Sequence, residues 1–331
     1  MFQNRITEMF GIRYPIFKGG LQHLSRAELV AAVANAGGLG FITAGTFPTK
    51  EELRQEIRKC KDLTDKPIGV NITLFTHPRA TVTIEDYIEC VAEEGITAVE
   101  TAGRSPEPYM NMFKDAGIKV LHKTTAVRFA KTAERVGVDA ITILGFEAAG
   151  HPGREDVTSL ILTPLAADGL SVPVVAAGGF GDARGFVAAL ALGAEGVLMG
   201  TRFVATQECP AHAALKEAVL KAQEIETVVI ERSVGNPMRA LRNPTAETVM
   251  EMEARGTNED ELYPFLRGDL GRKAYLEGET DKGIISVGEV VGLVRDVPTV
   301  KQVIDGIVEG AQTIVERLHT LGSPVPGGSA R

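Results

Sequence analysis

Two glycine-containing turns, at 178–179 and 200–201, are the strongest chemical signal in the sequence, because each follows a predicted strand. Gly178 and Gly179 allow a ligand to approach the backbone closely. Gly200 and Thr201 add backbone N–H donors and a hydroxyl group. In parallel barrels, phosphate groups bind at the loops after strands seven and eight. The two turns therefore indicate a phosphate site, with simple turn formation as the alternative for each glycine.

Two polar side chains after other strands are candidates for catalysis or cofactor binding. His151 lies in a Gly-His-Pro-Gly segment, and a histidine on such a loop suits a general base or a hydrogen-bond donor near neutral pH. Lys123 follows a predicted strand, where it could place a cation against a phosphate or an electron-rich cofactor ring. A structural role stays open for both residues. His151 could be an ordinary histidine in a turn, and Lys123 could extend along the barrel rim with its charge in solvent.

Several other kinds of site are excluded by the absence of their motifs. The sequence has no Gly-x-Ser-x-Gly nucleophile elbow, no Walker A loop and no strand-linked Gly-x-Gly-x-x-Gly followed by an acidic residue. These absences argue against a serine hydrolase, a P-loop ATPase and a Rossmann dehydrogenase. His23, His77, His212 and His319 have no partners at metal-ligand spacing, so no metal site is expected.

Composition and charge are typical of a soluble globular protein from a reducing compartment. The 331 residues are 44% hydrophobic and carry a formal net charge of −8, which argues against nucleic acid as a partner. No run of about 18 apolar residues is present, so we expect no membrane insertion and a cytoplasmic location. Cys60, Cys90 and Cys209 lie far apart and form no disulfide framework.

From the start of the chain to about residue 204, short β-branched segments alternate with amphipathic ones, which predicts repeated βα units. The predicted strands are Tyr14–Phe17, Leu39–Thr43, Ile68–Asn71, Ala98–Thr101, Lys119–His122, Ala140–Leu144, Pro173–Ala177 and Gly196–Met199. The predicted helices are Arg26–Ala36, Lys50–Lys61, Ile84–Glu94, Pro106–Ala116, Ala126–Val136, Ser159–Asp168 and Asp182–Leu192. This pattern favours an α/β fold, a closed (β/α)8 TIM barrel, over an open doubly wound sheet, which periodicity alone does not exclude.

The pattern of predicted secondary structure changes after Phe203, where long helical segments replace the alternation of strands and helices. We therefore predict a smaller helical cap domain for substrate at 205–287, above a barrel formed by residues 1–204 and 288–321. A final helix, Val300–Leu318, is expected to return to the barrel wall. The Gly-, Pro- and Ser-rich tail at 322–331 is predicted to be disordered.

Six segments, in order along the chain, resemble the nitronate monooxygenase family, formerly called 2-nitropropane dioxygenases. They are Pro15–Gln22, Ala34–Gly40, Gly69–Thr73, Glu147–Gly153, Ala176–Gly185 and Ala191–Phe203. Two further segments, His122–Val127 and Thr280–Gly288, resemble the branch of that family assigned NADH:quinone reductase activity. The resemblance spans most of the chain.

The resemblance implies a barrel that binds FMN, with the smaller helical domain over the flavin. It places the FMN phosphate against the two glycine turns, at Gly178, Gly179, Gly200 and Thr201. Other family positions that contact FMN correspond to Gly20, Leu21, Gln22, Thr73, Lys123, Ala149 and Ala177. His151 matches the histidine that acts as base or orients the substrate beside the flavin.

The first expectation for the reaction is oxidation of alkyl nitronates with O2 through reduced flavin. The alternative is an NADH:quinone reductase that uses the same FMN site with NADH as donor, and a third is a flavin-dependent enoyl-thioester reductase. Pro152 after His151 matches the quinone reductase branch, whereas Leu144 stands where that branch often has Asp. Outside redox chemistry, a metabolite-binding scaffold and a phosphate-sugar enzyme without flavin stay open. The partner is a small molecule, a nitronate or a quinone, and a homodimer is left open.

Overall fold

A computed structural model describes residues 2–75 and 82–322. Eight parallel strands form a closed barrel in sequence order, β1 to β8, with β8 pairing back to β1. Their bounds are β1 Ile16–Lys18, β2 Leu39–Thr43, β3 Gly69–Leu74, β4 Ala98–Gly103, β5 Lys119–Thr124, β6 Ala140–Leu144, β7 Val174–Ala177 and β8 Gly196–Met199. The predicted (β/α)8 TIM barrel is confirmed, and each predicted strand overlaps an observed one.

The helices that follow β1 to β7 cover the outside of the barrel because their apolar faces match the apolar outer faces of the strands. Their bounds are α2 Ala27–Asn35, α3 Lys50–Leu63, α4 Ile84–Glu93, α5 Met110–Asp115, α6 Val127–Val136, α7 Ser159–Gly169 and α8 Ala183–Ala191. Two further helices lie elsewhere: α1 Arg5–Phe10 precedes β1, and α9 Thr201–Val204 follows β8. Short 3-10 turns occupy Ala44–Thr46, Glu107–Tyr109 and Glu289–Leu293. The predicted helix Pro106–Ala116 is therefore split into a 3-10 turn and α5.

The barrel interior is packed rather than open, and α1 contributes to it. Ile6 and Phe10 of α1 join Phe17 and Phe41 in one buried apolar cluster. The rings of Phe10 and Phe17 meet edge to face, with centroids 5.7 Å apart. This packing supports the strands from inside, so a ligand has access to the barrel from the other end, where the strands finish.

The segment 205–287 contains more than helices, which corrects the expectation that no strands occur there. It includes α10 Ala213–Lys221, α11 Pro244–Ala254, α12 Glu259–Leu266 and α13 Gly268–Leu276. It also contains an antiparallel hairpin of β9 Thr227–Ile230 and β10 Met238–Leu241. Four-residue strands give too short an alternation to separate from helical periodicity in the sequence. The division of the chain into barrel and cap stays a prediction.

The final helix, α14, runs over Val300–Gly322, four residues beyond its predicted end at Leu318. It packs against α2 and α8 on the barrel wall, as expected. Gly322 is thus helical, and the remainder of the predicted disordered tail, 323–331, lies outside the described residues. Within the described ranges, we find no helix with the length and apolar character needed to cross a membrane.

Candidate active site

A cavity of about 1240 Å³ opens at the carboxyl ends of the barrel strands. Loops after the strands form its floor, and the turn between β9 and β10 forms part of its wall. All twelve site residues predicted from the sequence line this cavity: Gly20, Leu21, Gln22, Thr73, Lys123, Ala149, His151, Ala177, Gly178, Gly179, Gly200 and Thr201. The fold therefore brings together residues that are up to 181 positions apart, although their roles stay predictions.

The turn after β7 requires glycine for its backbone conformation. Gly178 and Gly179 have φ values of +95° and +79°, in the left-handed region that other residues rarely adopt. A Cβ on Gly178 would also lie 2.9 Å from the carbonyl oxygen of Gly145. Ser159 fixes the turn, since its hydroxyl donates a hydrogen bond to the Gly178 carbonyl at 2.7 Å. The backbone here is held in a shape that leaves the strand end open to a ligand.

The turn after β8 leads directly into the short helix α9, which begins at Thr201. Its N-terminus lies beside the Gly178 turn because β7 and β8 are neighbours. The Thr201 Oγ1 accepts a hydrogen bond from the Gly288 N–H at 3.0 Å, so its own hydroxyl hydrogen can be donated to a ligand. Loops after strands seven and eight with a short extra helix are the usual phosphate site of this fold.

His151 lies exposed on the loop after β6, and the β9–β10 hairpin holds that loop in place. Gly150 and Arg239 of β10 exchange two backbone hydrogen bonds, of 3.1 and 2.6 Å. The Nδ1 of His151 lies 3.2 Å from the carbonyl oxygen of Pro237. Because a carbonyl oxygen only accepts, this hydrogen bond assigns the proton to Nδ1, and Nε2 of the neutral ring is left as an acceptor.

The side chain of Arg239 also contacts the loop after β6, at Phe146. Its side chain is almost fully buried, with its guanidinium 4.4 Å from the centre of the Phe146 ring. The Nε of Arg239 donates to the Phe146 carbonyl at 3.1 Å. Sequence reasoning missed Arg239, because it comes from the hairpin that was not predicted.

Lys123 lines the cavity from the end of β5, and it is paired rather than free. Its Nζ lies 3.0 Å from Oε1 of Glu100, whose side chain is fully buried. Asn71 donates to the other oxygen, Oε2, at 2.7 Å. Sequence reasoning missed the role of Glu100, although a carboxylate in the middle of an otherwise buried strand was a visible signal.

The loop after β1 is held by a second buried amine. Lys18 donates to the carbonyl oxygen of Phe41 at 2.7 Å and to Ser25, whose Oγ in turn accepts the Leu21 N–H at 2.6 Å. Burial lowers the pKa of Lys18 to about 7, while the nearby Glu100 carboxylate acts in the opposite direction. On the same loop, Gln22 is exposed and its amide donates to the Gly45 carbonyl at 3.1 Å.

His122 lies beside Lys123 at the cavity floor and differs chemically from His151. Its Nδ1 is 2.9 Å from the Thr101 hydroxyl. Burial, with a smaller contribution from the Lys123 charge, lowers the pKa of His122 to about 4. His122 is therefore neutral at physiological pH, and it acts in the site as an uncharged hydrogen-bonding group.

The side chains of the remaining predicted residues form no hydrogen bond with other described residues, and they contribute to the cavity through their size. Thr73 is exposed near the end of β3, Ala177 is buried at the end of β7, and Ala149 is half-buried in the loop after β6. Leu144, the last residue of β6, presents an apolar side chain to the cavity. The small side chains at 149 and 177 leave room for a flat ligand over the strand ends.

The cysteines lie away from this chemistry. Cys60, Cys90 and Cys209 are all buried and form no disulfide. Burial raises the pKa of Cys60 to about 12 and also raises the pKa of the other two thiols. None is suited to nucleophilic attack near neutral pH, since the thiolate is the reactive form. In the part of the chain that the structure describes, no cluster of ligating side chains could hold a metal ion.

The arrangement fits FMN. The left-handed turn at 178–179, where a Cβ would crowd the backbone, and the hydroxyl of Thr201 match what a terminal phosphate requires. The cavity also exceeds the roughly 300–1,000 Å³ typical of a site for one small ligand, so a cofactor and a substrate can share it.

Comparisons with known proteins agree with this interpretation. Residues 3–310 match the family model for nitronate monooxygenase. A probable nitronate monooxygenase of Staphylococcus saprophyticus is 32% identical, over 95% of this chain and 99% of that protein. A protein of Rhodococcus jostii named (3aS,4S,5R,7aS)-5-hydroxy-7a-methyl-1-oxo-octahydro-1H-indene-4-carboxyl-CoA dehydrogenase is 32% identical, over 96% of this chain and 97% of its own.

Solved structures give the same fold. FabK from Thermotoga maritima superposes with a TM-score of 0.90 and 38% identity, over 96% of this chain and 99% of that one. Nitroalkane oxidase from Streptomyces ansochromogenes shares the fold with a TM-score of 0.81 at 22% identity, over 95% of this chain and 100% of that one. The family resemblance seen in the sequence is confirmed: the chain belongs to the nitronate monooxygenase family and is a flavin-dependent oxidoreductase.

Proposed function

We propose that this protein binds FMN in the cavity at the strand ends and oxidises alkyl nitronates, with O2 as the electron acceptor. The observation that carries the proposal is His151, which lines the same cavity as the phosphate turns and has Nε2 free to accept. FMN, when bound, takes electrons from the substrate and passes them to the acceptor. The protein supplies position, a base and an electrostatic environment.

The residues that would hold FMN fall into two groups. Gly178, Gly179, Gly200 and Thr201 would bind the phosphate through backbone N–H groups and the hydroxyl. The rest of the cofactor would lie against cavity residues from the other strand ends: Gly20, Leu21, Gln22, Thr73, Lys123, Ala149 and Ala177. This division predicts that substitutions in the turns weaken the binding of FMN more than the binding of a flavin that lacks the phosphate.

The charges at the cavity mouth support an anionic substrate. Arg104 and Arg154 line the cavity and are exposed, and neither forms an ion pair with a carboxylate of the described residues. Glu147 and Glu259 also line the cavity, so the two guanidinium groups offer cationic contacts to an anion without a net excess of positive charge at the opening. A nitronate held there would meet His151. A nitronate has already lost the acidic proton of its parent nitroalkane, so a protonated ring would orient the anion by donating from Nε2, whereas Nε2 of the neutral ring would take a proton only from the nitroalkane.

A second candidate is reduction of the flavin by NADH, with a quinone as acceptor. The cavity volume favours it, because the space beyond that needed for one small ligand could admit a nicotinamide beside the flavin. The CoA ester named for the Rhodococcus jostii relative keeps a third possibility in view, a thioester substrate.

The test is an anaerobic titration of the purified flavoprotein with three donors: ethyl nitronate, NADH and a saturated acyl-CoA thioester. Flavin absorbance reports reduction in each sample. We expect ethyl nitronate to reduce the flavin quickly. Reduction by NADH alone would instead support the quinone reductase, and reduction by the thioester alone would support a thioester dehydrogenase. A preparation that binds no flavin would refute the proposal.

His151→Ala tests the proposed base directly. We expect this variant to retain FMN and, with nitroethane as substrate, to be reduced at least about 100-fold more slowly, the range that general acid–base catalysis supplies. Ethyl nitronate, which is already deprotonated, should show a smaller decrease. His319→Ala is the matched control, because His319 lies exposed on α14, outside the cavity lining. Loss of FMN from His151→Ala would mean that this histidine holds the cofactor rather than acting on the substrate.

A further inference from the structure

Glu100 is an acidic residue placed where barrels normally carry apolar side chains. It lies in β4, and its side chain is 0% exposed. Burying a carboxylate is costly unless the charge is paired and hydrogen-bonded. Its presence there calls for an explanation beyond packing.

The carboxylate is surrounded by donors from three separate elements. Oε1 accepts from Lys123 of β5 at 3.0 Å. Oε2 accepts from the Asn71 amide of β3 at 2.7 Å and from the Gly20 N–H, in the loop after β1, at 2.9 Å. Each of these partners offers only hydrogens to Glu100, so the carboxylate is ionised and acts as an acceptor at every contact.

Two of these partners line the cavity, so Glu100 can hold residues of the cavity wall in place without lining the cavity itself. Gly20 and Lys123 belong to the cavity wall, whereas Glu100 and Asn71 lie behind it. A Cβ on Gly20 would lie 2.4 Å from the Asn71 side chain, so the loop backbone is pressed against this network. The network therefore fixes both the position of the loop and the position of the lysine.

Glu100 also sets the charge that the cavity experiences. Lys123 brings one positive charge to the wall, and the carboxylate 3.0 Å behind it offsets that charge. The other ionisable groups nearby are Lys18, which is buried and interacts electrostatically with Glu100, and His122, which is neutral. Removing the Glu100 charge alone would leave an uncompensated lysine facing the bound cofactor.

We propose that Glu100 is a positioning residue of the cofactor site, which holds Lys123 and the loop after β1 and limits the positive charge that reaches the flavin. The proposal rests on the proposed function only in requiring FMN in this cavity. It predicts that Glu100 keeps the two-electron potential of the flavin low, since reduced flavin carries more negative charge and a free cation would favour it.

The experiment measures the midpoint potential of FMN bound to the whole protein, by equilibration with a reference dye. For Glu100→Gln we expect the ratio of affinities for reduced over oxidised FMN to rise at least tenfold, which equals about 30 mV for two electrons. Lys123→Met should shift the potential the other way. The double variant should lie near the wild type, because both charges are then gone.

Two further variants separate charge from structure. Glu56→Gln is the matched control. The Glu56 carboxylate is also buried, accepts the Ala27 N–H at 2.7 Å and pairs with Arg26, but it lies outside the cavity lining. The potential of FMN bound to this variant should equal that of FMN bound to the wild type. Glu100→Asp keeps the charge but shortens the side chain, so we expect a wild-type potential and weaker FMN binding.

The outcomes are distinct. An unchanged or lower potential in Glu100→Gln with FMN bound would overturn the inference while leaving the proposed function intact. If Glu100→Gln does not fold, Glu100→Asp and Lys123→Met decide, and a Lys123→Met potential equal to that of the wild type contradicts the charge argument. Wild-type protein that binds no FMN would refute the proposed function itself.

Discussion

The replacement Gly179→Ala tests whether the turn after β7 binds the FMN phosphate. The φ of Gly179 is +79°, yet the nearest atoms that a Cβ there would meet belong to the Glu147 side chain, at an ordinary 3.5 Å. The cost is therefore backbone strain rather than a clash, about 1–3 kcal/mol for a residue other than glycine in this region. A bulkier change at Gly178, where the Cβ would lie 2.9 Å from a backbone oxygen, would mix the two effects.

That strain must change one of two measurable quantities, the free energy of unfolding or the dissociation constant of FMN. If the backbone keeps its conformation, unfolding of the cofactor-free protein in denaturant becomes easier by about 1–3 kcal/mol. If the backbone relaxes, FMN binding must restore it, and the dissociation constant rises roughly 5- to 150-fold. Flavin fluorescence titration with FMN and with riboflavin, which lacks the phosphate, separates the two cases, because riboflavin affinity should hardly change.

Gly306→Ala is the matched control for this variant. Gly306 lies in α14 without a left-handed φ, and a Cβ there would meet nothing within 4 Å. We expect unchanged flavin binding and a gain in stability of about 0.5–1 kcal/mol. Equal weakening of FMN and riboflavin by Gly179→Ala, or no effect on stability and binding together, would refute the assignment of the turn to the phosphate.

Two other predictions follow from buried titratable groups. The pKa of His122 is lowered to about 4 in the folded protein, so the unfolded chain takes up a proton on His122 below about pH 6.5 while the folded protein does not. The free energy of unfolding should therefore fall by up to roughly 3 kcal/mol between pH 6.5 and 4. In denaturant melts, His122→Gln should show a smaller decrease over this range, whereas the exposed-site control His319→Gln should show the same decrease as the wild type. The buried thiols of Cys60, Cys90 and Cys209 should resist iodoacetamide at pH 8 in the native state and react fully in denaturant, as read by mass; rapid native labelling would contradict their burial.

The barrel could be predicted because its elements are locally consistent. Three predicted strands, Leu39–Thr43, Ala140–Leu144 and Gly196–Met199, have the observed bounds, and the other five overlap the observed strands with different ends. Gly137, with a φ of +92°, ends α6 in the left-handed conformation that glycine commonly adopts at a helix C-terminus. The candidate site followed from the same regularity, because the residues after parallel strands meet at one end of the barrel.

The helix α1 and the cap hairpin were missed for a different reason. Residues Arg5–Phe10 form a helix too short to show a period, and its stability comes from Ile6 and Phe10 packing inside the barrel. Among the described residues, β9 and β10 pair with each other, and β10 also bonds to Gly150 and to the Ile285 carbonyl oxygen. Local signals are present for α1, since Asn4 caps its start and Gly11 ends it, but the packing that stabilises both features is tertiary.

The missed elements matter because they control the groups that were predicted. His151 was found from its loop, but its proton is assigned by a carbonyl of Pro237, in the turn between β9 and β10. Lys123 was found from its strand, but Glu100, one strand away, places a carboxylate oxygen 3.0 Å from its Nζ and offsets its charge. In each case the sequence identifies the chemical group, whereas a partner far away in the sequence fixes the tautomer of His151 or balances the charge of Lys123. Function in this family fold should therefore be altered more easily by changing such partners than by changing the glycine turns after β7 and β8, where the left-handed backbone at Gly178 and Gly179 leaves little freedom.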